Sequence, residues 1–137
     1  MSIGYKELVA DAESRIKAIT AANALAEASN PDVVFVDLRD VRELKREGKI
    51  PGAFHCPRGL LEFWIDPESQ YHNPIFAEDK RFVFYCNLGW RSALAADIAQ
   101  KMGLANVCHI DGGFEAWQTG LRSVGSTNRR WFVEPAP

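Results

Sequence analysis

The run Cys86-Asn87-Leu88-Gly89-Trp90-Arg91-Ser92 gathers the residue types that can do covalent chemistry. It follows the apolar stretch Phe82-Val83-Phe84-Tyr85 and precedes a long helical pattern. A thiol where a buried strand gives way to a helix meets backbone N–H groups, here those of residues 87–91, that have no intrahelical partners. The helix dipole adds partial positive charge at the same point. Gly89 permits a backbone angle closed to other residues and keeps its amide accessible, and Arg91 adds a full positive charge. Together these features favour a thiolate, the nucleophilic form of cysteine. The same cradle suits an anion, or negative charge on a sulfur attached to Cys86. Cys86 is therefore the candidate catalytic nucleophile, and Asn87, Leu88, Gly89, Trp90 and Arg91 form the candidate substrate-binding cradle. A free cysteine is more often a packed apolar residue. Packing alone, however, does not require glycine three residues on, arginine five residues on and then a long helix.

The remaining cysteines lack such a setting. Cys56 lies between His55 and Pro57, and Cys108 lies within an apolar run, so both read as core. His55, His72 and His109 are scattered, with no pattern that marks one as a base for Cys86. Three cysteines, an odd number, suit free thiols better than a disulfide framework. There is no CxxC pair and no Cys/His cluster, so neither a metal site nor a cofactor is expected.

The elements that must position Cys86 follow from periodicity. Residues 4–15 read as a helix, 16–19 as a short strand, and Thr20 as the N-cap of a helix over 21–28. The run Val33-Val34-Phe35-Val36 has the uninterrupted apolar character of a strand buried on both faces. Asp40 caps a short helix over 41–47, stopped by Gly48. A short strand over 53–56 and a helix over 60–65 follow. Residues 66–80, polar and carrying Pro67 and Pro74, read as a surface loop. Residues 82–85 form a second buried strand, 91–102 a long helix closed by Gly103, and 107–110 a third buried strand. After the turn Asp111-Gly112-Gly113 comes a short helix over 114–119, ended at Gly120. The tail from 121 is expected to be extended, with Trp131 and Phe132 docking back on the body. Alternating strands and helices imply an α/β fold with a mainly parallel sheet. Active sites of such folds lie at the carboxyl ends of the strands, where Asp37-Leu38-Arg39 and residues 86–91 fall.

The chain has 137 residues, 47% hydrophobic and 25% charged, which suits one globular domain. We divide it into an N-terminal helical extension (1–15), a core (16–121) and a tail (122–137). A net charge of −2 argues against nucleic acid or an anionic membrane as the main partner, since both need a concentrated basic surface. The first residues are charged throughout and lack the apolar centre of a signal peptide, so a cytoplasmic location is expected.

Four segments together resemble the rhodanese-like (sulfurtransferase) family: Val36-Asp37-Leu38-Arg39 with Glu43; Gly48-Lys49-Ile50-Pro51-Gly52-Ala53; residues 84–92 around Cys86; and Asp111-Gly112-Gly113-Phe114-Glu115-Ala116-Trp117. The match covers about residues 16–121. It implies a central five-stranded parallel sheet flanked by helices on both faces, and transfer of a sulfane sulfur through a cysteine persulfide at Cys86. It also implies supporting roles. Asp37 matches an acidic residue that braces the loop from the neighbouring strand end, Arg39 and Glu43 match a structural pair, and Ser92 is a further supporting residue. Lys49 departs from the histidine many relatives carry before Ile-Pro-Gly-Ala. Trp90 is a candidate to shape the pocket mouth with Phe63 or Trp64.

The reaction this implies moves sulfur from thiosulfate or a similar donor to cyanide or a thiol, with a sulfur-carrier protein as a further candidate acceptor. Phosphatases and arsenate reductases of related fold place five residues between Cys and Arg, whereas only four separate Cys86 from Arg91. The smaller cradle suits sulfur better than a tetrahedral phosphate. A binding-only or regulatory module on the same scaffold is the alternative, and a redox-sensor thiol a weaker one. The N-terminal helix and the tail around Trp131-Phe132 are candidate contacts for a homodimer.

Overall fold

The computed structural model describes residues 2–123. Along the chain run α1 (Tyr5–Glu13), β1 (Lys17–Ile19), α2 (Ala21–Ala26), β2 (Val33–Asp37), α3 (Val41–Glu47) and β3 (Phe54–His55). They are followed by α4 (Leu61–Ile65), β4 (Arg81–Tyr85), α5 (Trp90–Lys101), β5 (Val107–Ile110) and α6 (Gly113–Ser123). The strands form one five-stranded sheet in the order β1-β5-β4-β2-β3, and every pairing is parallel. This is the α/β architecture expected from the sequence.

The apolar runs become the centre of that sheet because side chains alternate across a strand. On β4, Phe82 and Phe84 join Val36, Leu38 and the α5 alanines Ala95, Ala96 and Ala99 on one face. Val83 and Tyr85 point the other way, into a cluster with Phe35, Ile110, Phe114 and Trp117. A strand with two buried faces cannot alternate apolar and polar residues, which is why β2 and β4 read as continuous runs. Small alanines on the buried face of α5 allow that helix to lie close on the sheet.

Several expected boundaries move. The helix expected over 60–65 begins as a 3-10 turn at Arg58–Leu60 before α4. The stretch 66–80 is not loop throughout, since Pro74–Ala77 forms a 3-10 helix. The Asn73 side chain accepts from the Ile75 N–H at 3.1 Å, Pro74 supplies the first position, and Phe76 is buried against Phe82 and Phe54. The last helix does not end at Gly120 but continues to Ser123. A helical glycine costs only about 1 kcal/mol, too little to stop a helix whose buried face is anchored by Phe114 and Trp117. The expectations for Trp131, Phe132 and the rest of the tail fall outside the described residues.

The N-terminal helix packs on the body. Val9 and Ala12 are buried, and Arg15 clasps Asp97 of α5 through two hydrogen bonds of 2.9 and 2.8 Å. Those bonds to Arg15, with Lys101 adding to them, hold the Asp97 carboxyl down at about 2. Among the described residues, no helix is long and apolar enough to cross a membrane.

Candidate active site

The site is built where β4 ends. A parallel sheet sends all its carboxyl ends to one edge, so β4 delivers Cys86 between the ends of its neighbours β2 and β5. Cys86 is 1% exposed. The chain then turns through Asn87, Leu88 and Gly89 into α5. Gly89 sits at the helix N-cap with φ of 108°, a left-handed angle that favours glycine. Its N–H donates to Cys86 Sγ at 3.2 Å. Leu88 and Trp90 are exposed, whereas Gly89 and Ser92 are buried.

A second glycine turn presses on the loop from behind. Gly113 has φ of 60°, and a Cβ there would stand 2.5 Å from Asn87 O and 2.6 Å from Cys86 O. Only glycine allows α6 to start this close. The Phe114 N–H donates to Cys86 O at 2.8 Å and the Glu115 N–H to Asn87 O at 3.1 Å. Among the described residues every peptide plane is trans, so fixing these carbonyls toward α6 turns the Asn87 and Leu88 N–H groups to the opposite side of the loop. In the sequence the Asp111-Gly112-Gly113 segment reads as a strand-end turn within one of the four resembling segments. Its direct hold on the loop needed the tertiary structure.

The charged residues pair differently from the resemblance. Arg39 and Glu43 do not form a pair. Arg39 is fully buried and turns to Asp37, donating through Nε at 3.0 Å and Nη2 at 2.8 Å, while Nη2 also reaches Gly48 O at 2.7 Å. Its guanidinium lies 4.3 Å from the Phe114 ring centroid. Burial works against the Arg39 charge, but the bonds and charge of Asp37 outweigh it and raise the guanidinium above its ordinary value. Asp37 also acts electrostatically on the Tyr85 hydroxyl, which accepts from the Ile50 N–H at 3.1 Å. Asp37 thus braces the residue before Cys86 and the Gly48–Ile50 segment, with no hydrogen bond to the loop itself. Burial, reinforced by Asp37, keeps the Tyr85 hydroxyl protonated far above its ordinary range.

Glu43 reaches Arg91 instead. Its two oxygens accept from Nη1 at 2.7 Å and Nη2 at 2.9 Å, a bidentate clasp from α3 to α5. Hydrogen bonding to Arg91 holds the Glu43 carboxyl down at about 2, and the Asp40 N–H adds to this. The same bonds raise Arg91, and Cys86 contributes to its stabilisation. The Arg91 charge is therefore largely matched by Glu43, while Arg91 still acts on Cys86, whose sulfur also meets the Gly89 N–H. The start of α3 is set by Asp40, which forms a capping box with Glu43.

The ring contacts of Trp90 and Trp64 go to different partners. Trp90 packs on Tyr5 of α1 with centroids 5.1 Å apart, while Trp64 stacks on Phe54 at 5.7 Å. Cys56 and Cys108 are buried thiols. Burial pushes Cys56 up to about 12 and also raises Cys108, so neither is placed to act as a nucleophile.

His109 carries no sequence signal of a role at the site. It is 2% exposed on β5, and its Nδ1 lies 2.9 Å from Ser92 Oγ, which is 3.6 Å from Cys86 Sγ. No sequence spacing signals this contact, because it crosses from a strand to a helix that packs on it. Among the described residues, no group of three or more His, Cys, Asp or Glu side chains is placed to hold a metal ion. The arrangement is a single buried thiol with the Gly89 N–H and the Ser92 hydroxyl beside it.

Comparison with known proteins bears on what the cradle does. The family described as the rhodanese-like domain matches residues 20–119. A Mus musculus protein named thiosulfate sulfurtransferase/rhodanese-like domain-containing protein 3 is 30% identical over 66% of this chain and 61% of its own length. A tRNA uridine(34) hydroxylase of Cronobacter sakazakii is 28% identical over 89% of this chain, but over only 34% of its own length. The chain thus spans less than two thirds of either relative. A solved structure from Rhodopseudomonas palustris, described as a protein of unknown function and "Possible Tyrosine Phosphatase", is 56% identical with a TM-score of 0.85. That match covers 88% of this chain and 92% of the other.

Proposed function

The chain belongs to the rhodanese-like domain family, and from that premise we propose that it is a sulfurtransferase working through a persulfide on Cys86. The observation that carries the reading is Cys86 Sγ held at 3.2 Å from the Gly89 N–H in a loop whose carbonyls are tied back to α6. In the first step the Cys86 thiolate attacks the outer sulfur of thiosulfate. A new S–S bond forms on Cys86 as the bond to the sulfonate sulfur breaks, and sulfite leaves with the electron pair. The Cys86 persulfide then carries the negative charge, which the amides and the start of α5 stabilise. In the second step cyanide or a thiolate attacks the outer sulfur, leaving as thiocyanate or a new persulfide and restoring the Cys86 thiolate. A carrier-protein thiol is chemically equivalent to a small one here. Such covalent exchange gives ping-pong kinetics.

The test is mass spectrometry after thiosulfate treatment, alongside thiocyanate formation. The protein should gain the mass of one sulfur on Cys86, and Cys86→Ser should neither gain it nor form thiocyanate. Wild-type turnover by Cys86→Ser would overturn the mechanism.

The Rhodopseudomonas structure motivates a phosphatase as the second reading. A phosphatase needs its loop arginine free to clamp phosphate, whereas Arg91 here is clasped bidentately by Glu43. Four intervening residues also make the cradle small. Hydrolysis of an aryl phosphate at a rate above that of thiocyanate formation would favour the phosphatase.

A further inference from the structure

We propose that His109 is a positioning residue that, acting through Ser92, aims the serine hydroxyl proton at Cys86 Sγ. The assignment rests on Cys86 being the nucleophile of the function proposed above.

Ser92 Oγ has three neighbours: His109 Nδ1 at 2.9 Å, Gly89 O at 3.3 Å and Cys86 Sγ at 3.6 Å. A hydroxyl has one proton to give and two lone pairs to receive with. Where the serine proton points therefore depends on which His109 nitrogen carries a hydrogen. His109 Nε2 is buried without a hydrogen-bond partner, whereas Nδ1 has Ser92. A buried N–H without an acceptor is costly, more so than a bare lone pair. The neutral ring therefore carries its proton on Nδ1 and donates it to Ser92 Oγ. Burial keeps His109 in that neutral form by lowering its affinity for a second proton, while Asp111 acts in the opposite sense.

With one lone pair of Ser92 engaged by His109, the serine proton is released from the imidazole. It can then turn to the sulfur when charge develops there. Cys86 Sγ thereby receives a hydroxyl donor in addition to the Gly89 N–H. In the opposite tautomer Ser92 would spend its proton on Nδ1, and the sulfur would lose that donor. His109 touches no substrate atom in this scheme. Its whole effect passes through one serine, and that makes the claim testable.

The experiment measures the thiolate-to-thiol ratio of Cys86 at neutral pH from its ultraviolet absorbance, each protein being differenced against its own Cys86→Ser counterpart. No sulfur donor is present, so the result stands even if the sulfurtransferase reading fails, and a failure here leaves that reading intact. His109→Phe keeps a ring but has no donor, and should lower the ratio about tenfold, the size expected for losing one hydrogen bond to a charged group. His109→Asn presents an amide N–H where Nδ1 stands and should restore the ratio to within about twofold of the parent. Ser92→Ala should lower the ratio as His109→Phe does, and adding His109→Phe to Ser92→Ala should change nothing more. An unchanged ratio in Ser92→Ala overturns the proposal, and this variant serves even if His109→Phe does not fold. So does an equal drop from His109→Phe with and without Ser92, because a merely structural histidine would act independently of the serine.

Discussion

Replacing Gly113 with alanine tests whether α6 positions the catalytic loop. The added Cβ would stand 2.5 Å from Asn87 O and 2.6 Å from Cys86 O, and both are backbone atoms that cannot rotate away. At φ of 60° an alanine also pays about 1–2 kcal/mol for the left-handed conformation. The hydrogen bonds from the Phe114 and Glu115 amides to the loop would stretch or break, at about 0.5–1.5 kcal/mol each. The sum is a stability loss of about 2–5 kcal/mol. Displacing the Cys86–Leu88 segment by a fraction of an ångström to 1 Å should lower thiocyanate formation up to about 100-fold. Gly103→Ala supplies the control. Gly103 also has a positive φ, of 104°, but a Cβ there meets nothing within 4 Å. It should lose about 1–2 kcal/mol in urea unfolding and keep its turnover. Equal turnover in the two variants would refute the argument, since it would show that contact with the loop carries no catalytic consequence.

Three further substitutions probe the polar framework. Arg39→Met leaves Asp37 charged and buried, and should cost about 3–5 kcal/mol in denaturant unfolding; a loss below about 1 kcal/mol would mean the pair is dispensable. Tyr85→Phe strips the buried Ile50 N–H of its acceptor and should cost about 1–3 kcal/mol by the same measurement. Glu43 sits at about 2, below the ordinary 4.5 for its type, so its clasp on Arg91 stabilises the fold fully above pH 4.5 and is lost as pH falls through about 2. Because Arg91 is 40% exposed, solvent reduces the contribution to about 1 kcal/mol. Glu43→Gln should therefore be less stable than the parent near neutral pH, with the gap closing in acid; a gap that widens in acid would reverse the sign of the argument.

What the sequence determined by itself was local. Two apolar runs with no alternation marked β2 and β4, because a strand covered on both faces must be apolar on both. The step from Phe82-Val83-Phe84-Tyr85 into Cys86, followed by Gly89 and Arg91, marked the candidate nucleophile, because strand, turn and helix signals are carried by neighbours in the chain. Resemblance across four segments added the family. Tertiary structure decided which groups meet. Glu43 lies 48 residues from Arg91, and His109 lies 17 residues beyond Ser92. Neither separation matches a helical or strand period, so no pattern could join them. The sheet order did so by placing β2 and β5 on either side of β4. That brought the start of α3 to Arg91 from one flank, and His109 with the Gly113 turn to Cys86 from the other. Arg39 shows the same limit in reverse: the resemblance matched it with Glu43, but a fully buried guanidinium takes the buried carboxylate of Asp37, since burial leaves no water to satisfy either charge.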